Sequence, residues 1–158
     1  MVANPEIIDK VVKLKQAVDL QTSSFGQRQA SYYMDMFDLD KHVETIRKLY
    51  GERRTLMCDC MKKYFPEGVT FTYPEGGLFT WVTLPEGIDA KELMPKVLEQ
   101  NVAYVPGGPF YPNGGHANHF RLNYSNMPPE RIEEGIKRLG EVLKRELGKW
   151  INSPLSNA

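Results

Sequence analysis

The sequence has 158 residues, 41% hydrophobic and 25% charged, a composition ordinary for a single globular domain with a sizeable core. Lysine plus arginine and aspartate plus glutamate both number 20, so the formal net charge of zero gives no support for a nucleic-acid partner. The apolar runs are much shorter than the roughly 18 residues that a membrane span needs, so we expect no membrane partner either.

The first part of the chain is predicted to be helical. Asn4, Pro5 and Glu6 form a helix start, because a capping side chain is followed by a proline and an acid in the first turn. The helix has one broad apolar face and is expected to end near Asp19–Leu20. The next predicted helices run from about Phe25 to Met36, and from a cap at Asp38 or Asp40 to near Phe65.

Alternating β-branched and aromatic residues then predict strands. The predicted strands are Val69–Tyr73, its hairpin partner Leu78–Leu84, Val102–Val105 and Phe120–Tyr124. A helix from about Ala90 to Glu99, capped by Asp89, separates the two strand pairs, and a last helix opens at Pro128–Pro129. Its expected buried stripe is Ile132, Ile136, Leu139, Val142, Leu143 and Leu147. The order of elements predicts an α+β fold, N-terminal helices followed by β-β-α-β-β-α, with helices on one face of a small, mostly antiparallel sheet.

Arg121 is the residue that most suggests a binding site. On a strand, Arg121, Asn123 and Ser125 share one face, away from the core-like side chains that alternate with them. A guanidinium presents a planar fork that matches a carboxylate in two parallel hydrogen bonds. From the spacing alone, an arginine in a surface ion pair is the more common alternative.

The loop from Pro106 to Asn118 precedes this strand and is long for a plain connection, which is the alternative interpretation. Its glycines allow close backbone approach, and we expect Pro106, Gly107 and Phe110 to line a pocket together with Asn123. No phosphate-binding glycine motif and no nucleophile elbow occurs, which argues against nucleotide binding and a serine hydrolase. His116 and His119 lack further ligands at usable spacing, so no metal site is predicted. Cys58 and Cys60 are expected to be free thiols in a reducing, cytoplasmic compartment.

Several motifs together resemble the C-terminal part of class I/II aminotransferases, the fold-type I enzymes that use pyridoxal phosphate. They are Pro74–Pro85 (PEGGLFTWVTLP), Val105–Phe110 (VPGGPF), Phe120–Ser125 (FRLNYS), Ile132–Leu139 (IEEGIKRL), Asn4–Gln16 and Tyr50–Arg54 (YGERR). The likeness is greatest to the branch of 2-aminoadipate, kynurenine and aromatic aminotransferases and MocR-type regulators. The resemblance implies that Arg121 binds the α-carboxylate of an amino-acid or 2-oxo-acid substrate. It also implies that the parent protein is a homodimer.

One departure from the family pattern concerns the cofactor. A pyridoxal phosphate enzyme needs a Schiff-base lysine, which this family carries in a Ser-x-x-Lys-like motif, and that motif does not occur in this sequence. We therefore expect the chain to be the small domain of a longer protein, inactive alone and without bound cofactor. Residues 1–37 would be helices that join a large domain, 38–150 the small domain, and 151–158 a disordered tail.

Two alternatives stay open. The chain could be the effector-binding domain of a MocR-type transcription regulator, in which the same fold binds a ligand without turnover as its purpose. It could also be a stand-alone α+β module that binds a carboxylate ligand by itself.

Overall fold

The structure of the protein is a computed structural model, which describes residues 2–151, with the side chains of residues 2–150. Within these residues the elements are α1 Pro5–Asp19, α2 Ser24–Met36, α3 Leu39–Tyr64, β1 Thr70–Phe71, β2 Phe79–Thr83, α4 Ala90–Leu98, β3 Val105–Pro106, a 3₁₀ turn Gly108–Phe110, β4 His119–Asn123 and α5 Pro129–Ile151. None of these helices combines the length and apolar character needed to cross a lipid bilayer. The predicted disordered tail lies, from residue 152 onward, outside the described residues.

The chain forms two compact units, and the boundary between them falls between Thr45 and Ile46, inside α3. In the first unit the helix starts follow the capping rules that the sequence predicts. The side chain of Asn4 accepts a hydrogen bond from the Glu6 amide at 3.0 Å, and that of Asp38 accepts one from the Lys41 amide at 2.9 Å. Neither α1 nor α2 buries a residue, so the apolar face of α1 stays largely exposed in this unit.

The second unit contains a four-stranded sheet in the order β1-β2-β4-β3, and all neighbouring strands are antiparallel. The predicted hairpin of the first two strands is confirmed, with Thr70 opposite Thr83. On one face of the sheet, β2 and β4 contribute buried apolar side chains against α3, α4 and α5. The core residues of this unit include Val82, Leu84, Phe120, Leu122, Met57, Met61, Leu93, Val97 and the whole predicted stripe of α5. The α+β fold with helices on one face of a small sheet is therefore confirmed.

The predicted third strand was misplaced, because β3 occupies Val105–Pro106 instead of Val102–Val105. The cause is the way in which α4 ends. Asn101 has a positive φ of 57°, and the Val102 amide donates back to the Val97 carbonyl at 3.3 Å. This is the hydrogen bond of a Schellman-type helix end, so residues 101 and 102 complete the helix terminus and do not join the sheet.

The predicted apolar stripe of α3 is buried only in its C-terminal part, where Met57, Cys60 and Met61 enter the core while Leu49 remains 40% exposed. Cys58 and Cys60 are both buried free thiols, as predicted. Burial is the main cause that raises the pKa of each thiol. Both side chains therefore act as small apolar core residues.

Gly140 marks a close approach of α5 to α3, since a Cβ added at this position would lie 2.5 Å from the Tyr64 carbonyl oxygen. We predict that Gly140→Ala lowers the free energy of unfolding by about 1–3 kcal/mol, because backbone must move to accept the methyl group. The matched control is Gly135→Ala in the same helix, where a Cβ meets nothing within 4 Å. This control should raise stability by up to about 1 kcal/mol through helix propensity. Urea unfolding followed by circular dichroism compares the two, and equal effects would contradict the packing argument.

Glu146 joins α4 to α5. Its carboxylate accepts hydrogen bonds from Lys96 at 2.5 Å, Lys149 at 3.0 Å and Arg145 at 3.0 Å. The hydrogen bond from Lys96, followed by that from Lys149, lowers the pKa of Glu146 to about 2 from an ordinary 4.5. The folded state thus favours the ionised carboxylate, and the associated stability is present above about pH 4.5 and lost as the pH falls towards 2.

We predict that Glu146→Gln lowers the free energy of unfolding by about 1 kcal/mol at pH 7, a modest value because its partners are half exposed and screened by solvent. The difference from the unchanged protein should shrink as the pH is lowered from 5 to 2. Denaturant titrations at several pH values measure it, with the exposed Glu141→Gln as control. A difference that stays constant with pH would rule out this electrostatic origin.

Candidate functional site

The face of the sheet opposite the core, here called the outer face, carries the predicted site. It is formed by Phe79, Trp81 and Thr83 of β2, His119, Arg121 and Asn123 of β4, and Val105 of β3. Arg121 lies between two strands, directly opposite Trp81 on one side and Val105 on the other. A strand with neighbours on both sides fixes the Cα position of Arg121 better than a loop would.

The guanidinium of Arg121 is surrounded by aromatic rings. Its central carbon lies 3.9 Å from the centre of the Phe79 ring and 4.9 Å from that of Phe110. Within residues 2–150, Arg121 forms no ion pair, and its buried Nε has no hydrogen-bond partner. The alternative of a surface ion pair therefore finds no partner carboxylate in the described part of the chain. The terminal nitrogens remain as donors for an anion.

The loop after β3 folds back onto the outer face because Gly107 has no side chain. The Gly107 amide donates to the His119 carbonyl at 2.7 Å. A Cβ at Gly107 would lie 2.7 Å from the Cβ of His119 and 2.9 Å from Cζ2 of Trp81. The 3₁₀ turn that follows then brings Phe110 beside both Arg121 and Trp81, with ring centres of Phe110 and Trp81 5.7 Å apart.

The predicted pocket residues thus fall into two groups. Phe110 lies at Arg121, Gly107 lies against His119 and Trp81 of the outer face, and Asn123 lies on the same face, two residues from Arg121 along β4. The side-chain oxygen of Asn123 accepts from the amide and the hydroxyl of Ser125, at 2.8 and 2.9 Å. Pro106 is not brought to this face, because it pairs with Phe120 and so belongs to the side of the sheet that faces the core.

The sequence interpretation missed an aromatic cluster that joins the loop to the outer face. Tyr111 stacks on His116 with ring centres 4.1 Å apart, and Trp81 lies 5.9 Å from His119. The Nδ1 of His119 is 2.9 Å from the hydroxyl of Thr83, and burial, followed by the neighbouring His116, lowers the pKa of His119. Alternation along the predicted strand Leu78–Leu84 was the available signal, because it separates Trp81 from its buried neighbours Thr80 and Val82. The two histidines were considered only as metal ligands, and the described residues hold no group of three or more metal-binding side chains.

Two arginines of α3 fasten the segments that flank the site. A terminal nitrogen of Arg53 donates to the Ser125 carbonyl just after β4, and one of Arg54 donates to the Pro74 carbonyl at 3.0 Å. The Arg54 guanidinium also lies 4.9 Å from the centre of the Tyr73 ring. Both arginines belong to the YGERR motif, whose role the sequence alone left open. They act as tethers between a helix and the two loops.

An open groove of about 780 Å³ lies beside this site rather than in it. It is bordered by the helix end at 101–103, by α5, and by Leu122 and Asn123 of β4. It exists because residues 101–103 leave the edge of β4 unpaired at this point. Arg121 does not line the groove, so the volume of a cavity is a poor guide to the chemistry here.

Comparison with known proteins shows the family of the chain. Residues 1–139 match the family described as aminotransferase class I and II. The chain belongs to this family. It is 45% identical over 147 residues to aromatic-amino-acid aminotransferase 1 of Thermococcus litoralis, a match that covers 93% of this chain and 35% of that protein. The chain therefore spans about a third of the length of the curated relatives it matches.

Solved structures of aminotransferases share the fold. The α-aminoadipate aminotransferase of Thermus thermophilus, complexed with N-(5'-phosphopyridoxyl)-L-leucine, superposes with a TM-score of 0.85 at 39% identity, over 93% of this chain and 38% of that one. The likeness extends to regulators as well. An uncharacterized HTH-type transcriptional regulator of Escherichia coli is 29% identical over 138 residues, 87% of this chain and 30% of its own length.

We predict that Gly107→Ala lowers the free energy of unfolding by about 1–3 kcal/mol, because the methyl group would overlap the His119 carbonyl 2.9 Å away. Gly108→Ala is the matched control, since a Cβ at this neighbouring position meets nothing within 4 Å and should change stability by less than about 0.5 kcal/mol. Urea unfolding followed by tryptophan fluorescence measures both. Equal stability of the two variants would show that the loop does not need its close approach to the sheet.

Proposed function

We propose that the chain is the small domain of a pyridoxal phosphate-dependent aminotransferase, and that Arg121 binds the α-carboxylate of the amino-acid and 2-oxo-acid substrates. The observation that carries the proposal is the state of Arg121, which is held on a central strand among aromatic rings with no ion-pair partner in the described residues. A charged group kept unpaired at a defined position is typical of a binding site. The names of the aminotransferase relatives support the proposed activity of the parent protein.

The proposed role of Arg121 is positioning. A carboxylate that binds the planar guanidinium through two parallel hydrogen bonds is fixed in distance and in orientation. The Cα of the substrate is thereby held at one place relative to the sheet, which removes rotational freedom that would otherwise oppose reaction. Asn123 lies on the same face, and its amide nitrogen, which has no hydrogen-bond acceptor within residues 2–150, is a second donor.

The cofactor would be held by another part of the longer protein. Pyridoxal phosphate, when bound, supplies the electron sink for bond changes at the substrate Cα. The described residues fit the carboxylate end of the substrate and do not fit the cofactor. All lysines of the chain lie on helices, and the outer face around Arg121 carries none within the described residues. We therefore assign the Schiff-base lysine to the part of the relatives' length that this chain does not span.

The remaining proposals concern assembly. Residues 1–37 would join the small domain, residues 38–150, to the cofactor-binding domain, and the parent protein would be a homodimer. The apolar side chains that α1 and α2 leave exposed within their own unit support such an attachment. The small domain would close over the substrate once its carboxylate is bound.

A second candidate is the effector-binding domain of a transcription regulator, because HTH-type regulators also match most of this chain. Such a protein would use the same arginine to bind an effector carboxylate. The reading frame upstream distinguishes the two. A lysine-bearing cofactor domain without a DNA-binding segment favours the enzyme, and a helix-turn-helix segment before that domain favours the regulator.

We predict that Arg121→Ala in the full-length protein raises KM for the amino-acid substrate by on the order of 100-fold, because two charge-assisted hydrogen bonds are lost. The absorbance of the bound cofactor should not change. Arg131→Ala, which removes an exposed arginine from α5, is the control and should leave KM within about 2-fold. Steady-state kinetics measure KM, and absorbance spectra measure the bound cofactor. Loss of the cofactor with an unchanged KM would refute the role proposed for Arg121.

A further inference from the structure

We propose that Phe79 and Phe110 are positioning residues, which hold the Arg121 guanidinium in the orientation that receives a carboxylate. This inference rests on the proposed function, and it assigns the supporting contacts of the binding arginine to two aromatic rings rather than to an acidic side chain.

The first step is the absence of any polar support for Arg121. An arginine side chain has several rotatable bonds, and a binding arginine needs something that restricts them. Within residues 2–150, no acceptor takes a hydrogen bond from its buried Nε. The contacts that remain to its charge are the rings of Phe79, at 3.9 Å, and Phe110, at 4.9 Å. Both distances lie within the roughly 6 Å over which a cation is attracted to a ring face.

The second step is that aromatic contacts leave the N–H donors of the guanidinium available to a ligand. A carboxylate neighbour would neutralise the guanidinium and occupy its donors, and the substrate would then have to compete with it. A ring attracts the cation through its quadrupole and takes up none of the N–H groups. Because Nε is buried without an acceptor, the two terminal nitrogens are the edge that a carboxylate can approach. The rings therefore restrict the guanidinium and also select the edge that binds.

The third step is how each ring is itself held. Phe79 belongs to β2 and pairs with Asn123, two residues from Arg121 along β4. Phe110 ends the 3₁₀ turn, in which its amide donates to the Gly107 carbonyl at 2.9 Å. Its ring meets the Trp81 ring edge-on, with centres 5.7 Å apart. Phe110 is nevertheless 49% exposed, which is more than packing alone would favour for an anchored phenylalanine.

The test uses the full-length protein and propanoate, which carries a carboxylate and no amino group, as a competitive inhibitor. We expect Phe110→Leu and Phe79→Leu each to raise the inhibition constant about 3- to 10-fold, the range that a cation–π contact supports. Phe110→Tyr keeps the ring and should stay within about 2-fold. Tyr111→Leu removes a ring that contacts Trp81 and has no contact with the Arg121 charge, so it controls for disturbance of the loop.

A double-mutant cycle separates the two levels of the proposal. If the rings act through Arg121, Phe110→Leu should have no further effect in the Arg121→Ala background. Ring substitutions without effect, or with an equal effect in the absence of Arg121, would overturn the positioning role while leaving the carboxylate site intact. An inhibition constant that Arg121→Ala itself leaves unchanged would instead overturn the proposed function.

A second readout is independent of activity and cofactor. In the 158-residue chain labelled with ¹⁵N-arginine, the Nε–H resonance of Arg121, assigned through its loss in Arg121→Lys, should be shifted upfield by the two rings. The shift should diminish in Phe110→Leu and persist in Phe110→Tyr. An Arg121 resonance at the position of a solvent-exposed arginine would contradict the ring contacts directly.

Discussion

The uncompensated positive charge of Arg121 is the constraint on which the rest of the site depends. An acidic side chain that pairs with a guanidinium fixes its position and also neutralises its charge, so the charge is no longer available to a ligand. In this chain the two are separated, because aromatic rings restrict the side chain while no acid within residues 2–150 pairs with it. The charge can stay unpaired because Arg121 is only partly buried and, of its nitrogens, only Nε is a buried atom without a partner, so water can solvate the terminal nitrogens.

The helix-covered side of the sheet makes this arrangement possible. The buried side chains of β2 and β4 are packed against α3, α4 and α5, so the apolar core that holds the strands lies on this side of the sheet. The outer face can then carry polar and aromatic side chains that suit a binding site. The loop packs on this face at Gly107, where a larger residue would overlap His119 and Trp81. The apolar core thus lies on one side of the sheet, and the candidate site occupies the other.

What the sequence could predict follows from the range of the interactions involved. The cap at Asn4, the buried stripe of α5 and the outward orientation of Arg121 depend on residues a few positions apart, so local patterns were sufficient. The bond from Arg53 to Ser125 joins residues 72 positions apart, and no local pattern contains it. The prediction of the third strand was wrong for a different reason. The residue pattern at 102–105 does not reveal that Asn101 adopts a positive φ and prolongs the end of the preceding helix. Phe110 was predicted as a pocket residue from composition, but its contact with Arg121 depends on a turn that only the fold defines.

The division between the two ends of the substrate has a physical consequence in the proposed function. An amino acid presents a carboxylate at one end and a reacting Cα at the other, and here the group for the carboxylate belongs to a compact unit with its own core. If the reacting centre belongs to a different domain, only a molecule that carries both ends can bring the two together. Binding energy from the carboxylate then stabilises the closed arrangement in which water is excluded from the reacting atoms. Aromatic rings suit an arginine in a domain that closes over its substrate. They restrict the guanidinium before the substrate binds, and they add no acidic side chain that the substrate carboxylate would have to displace.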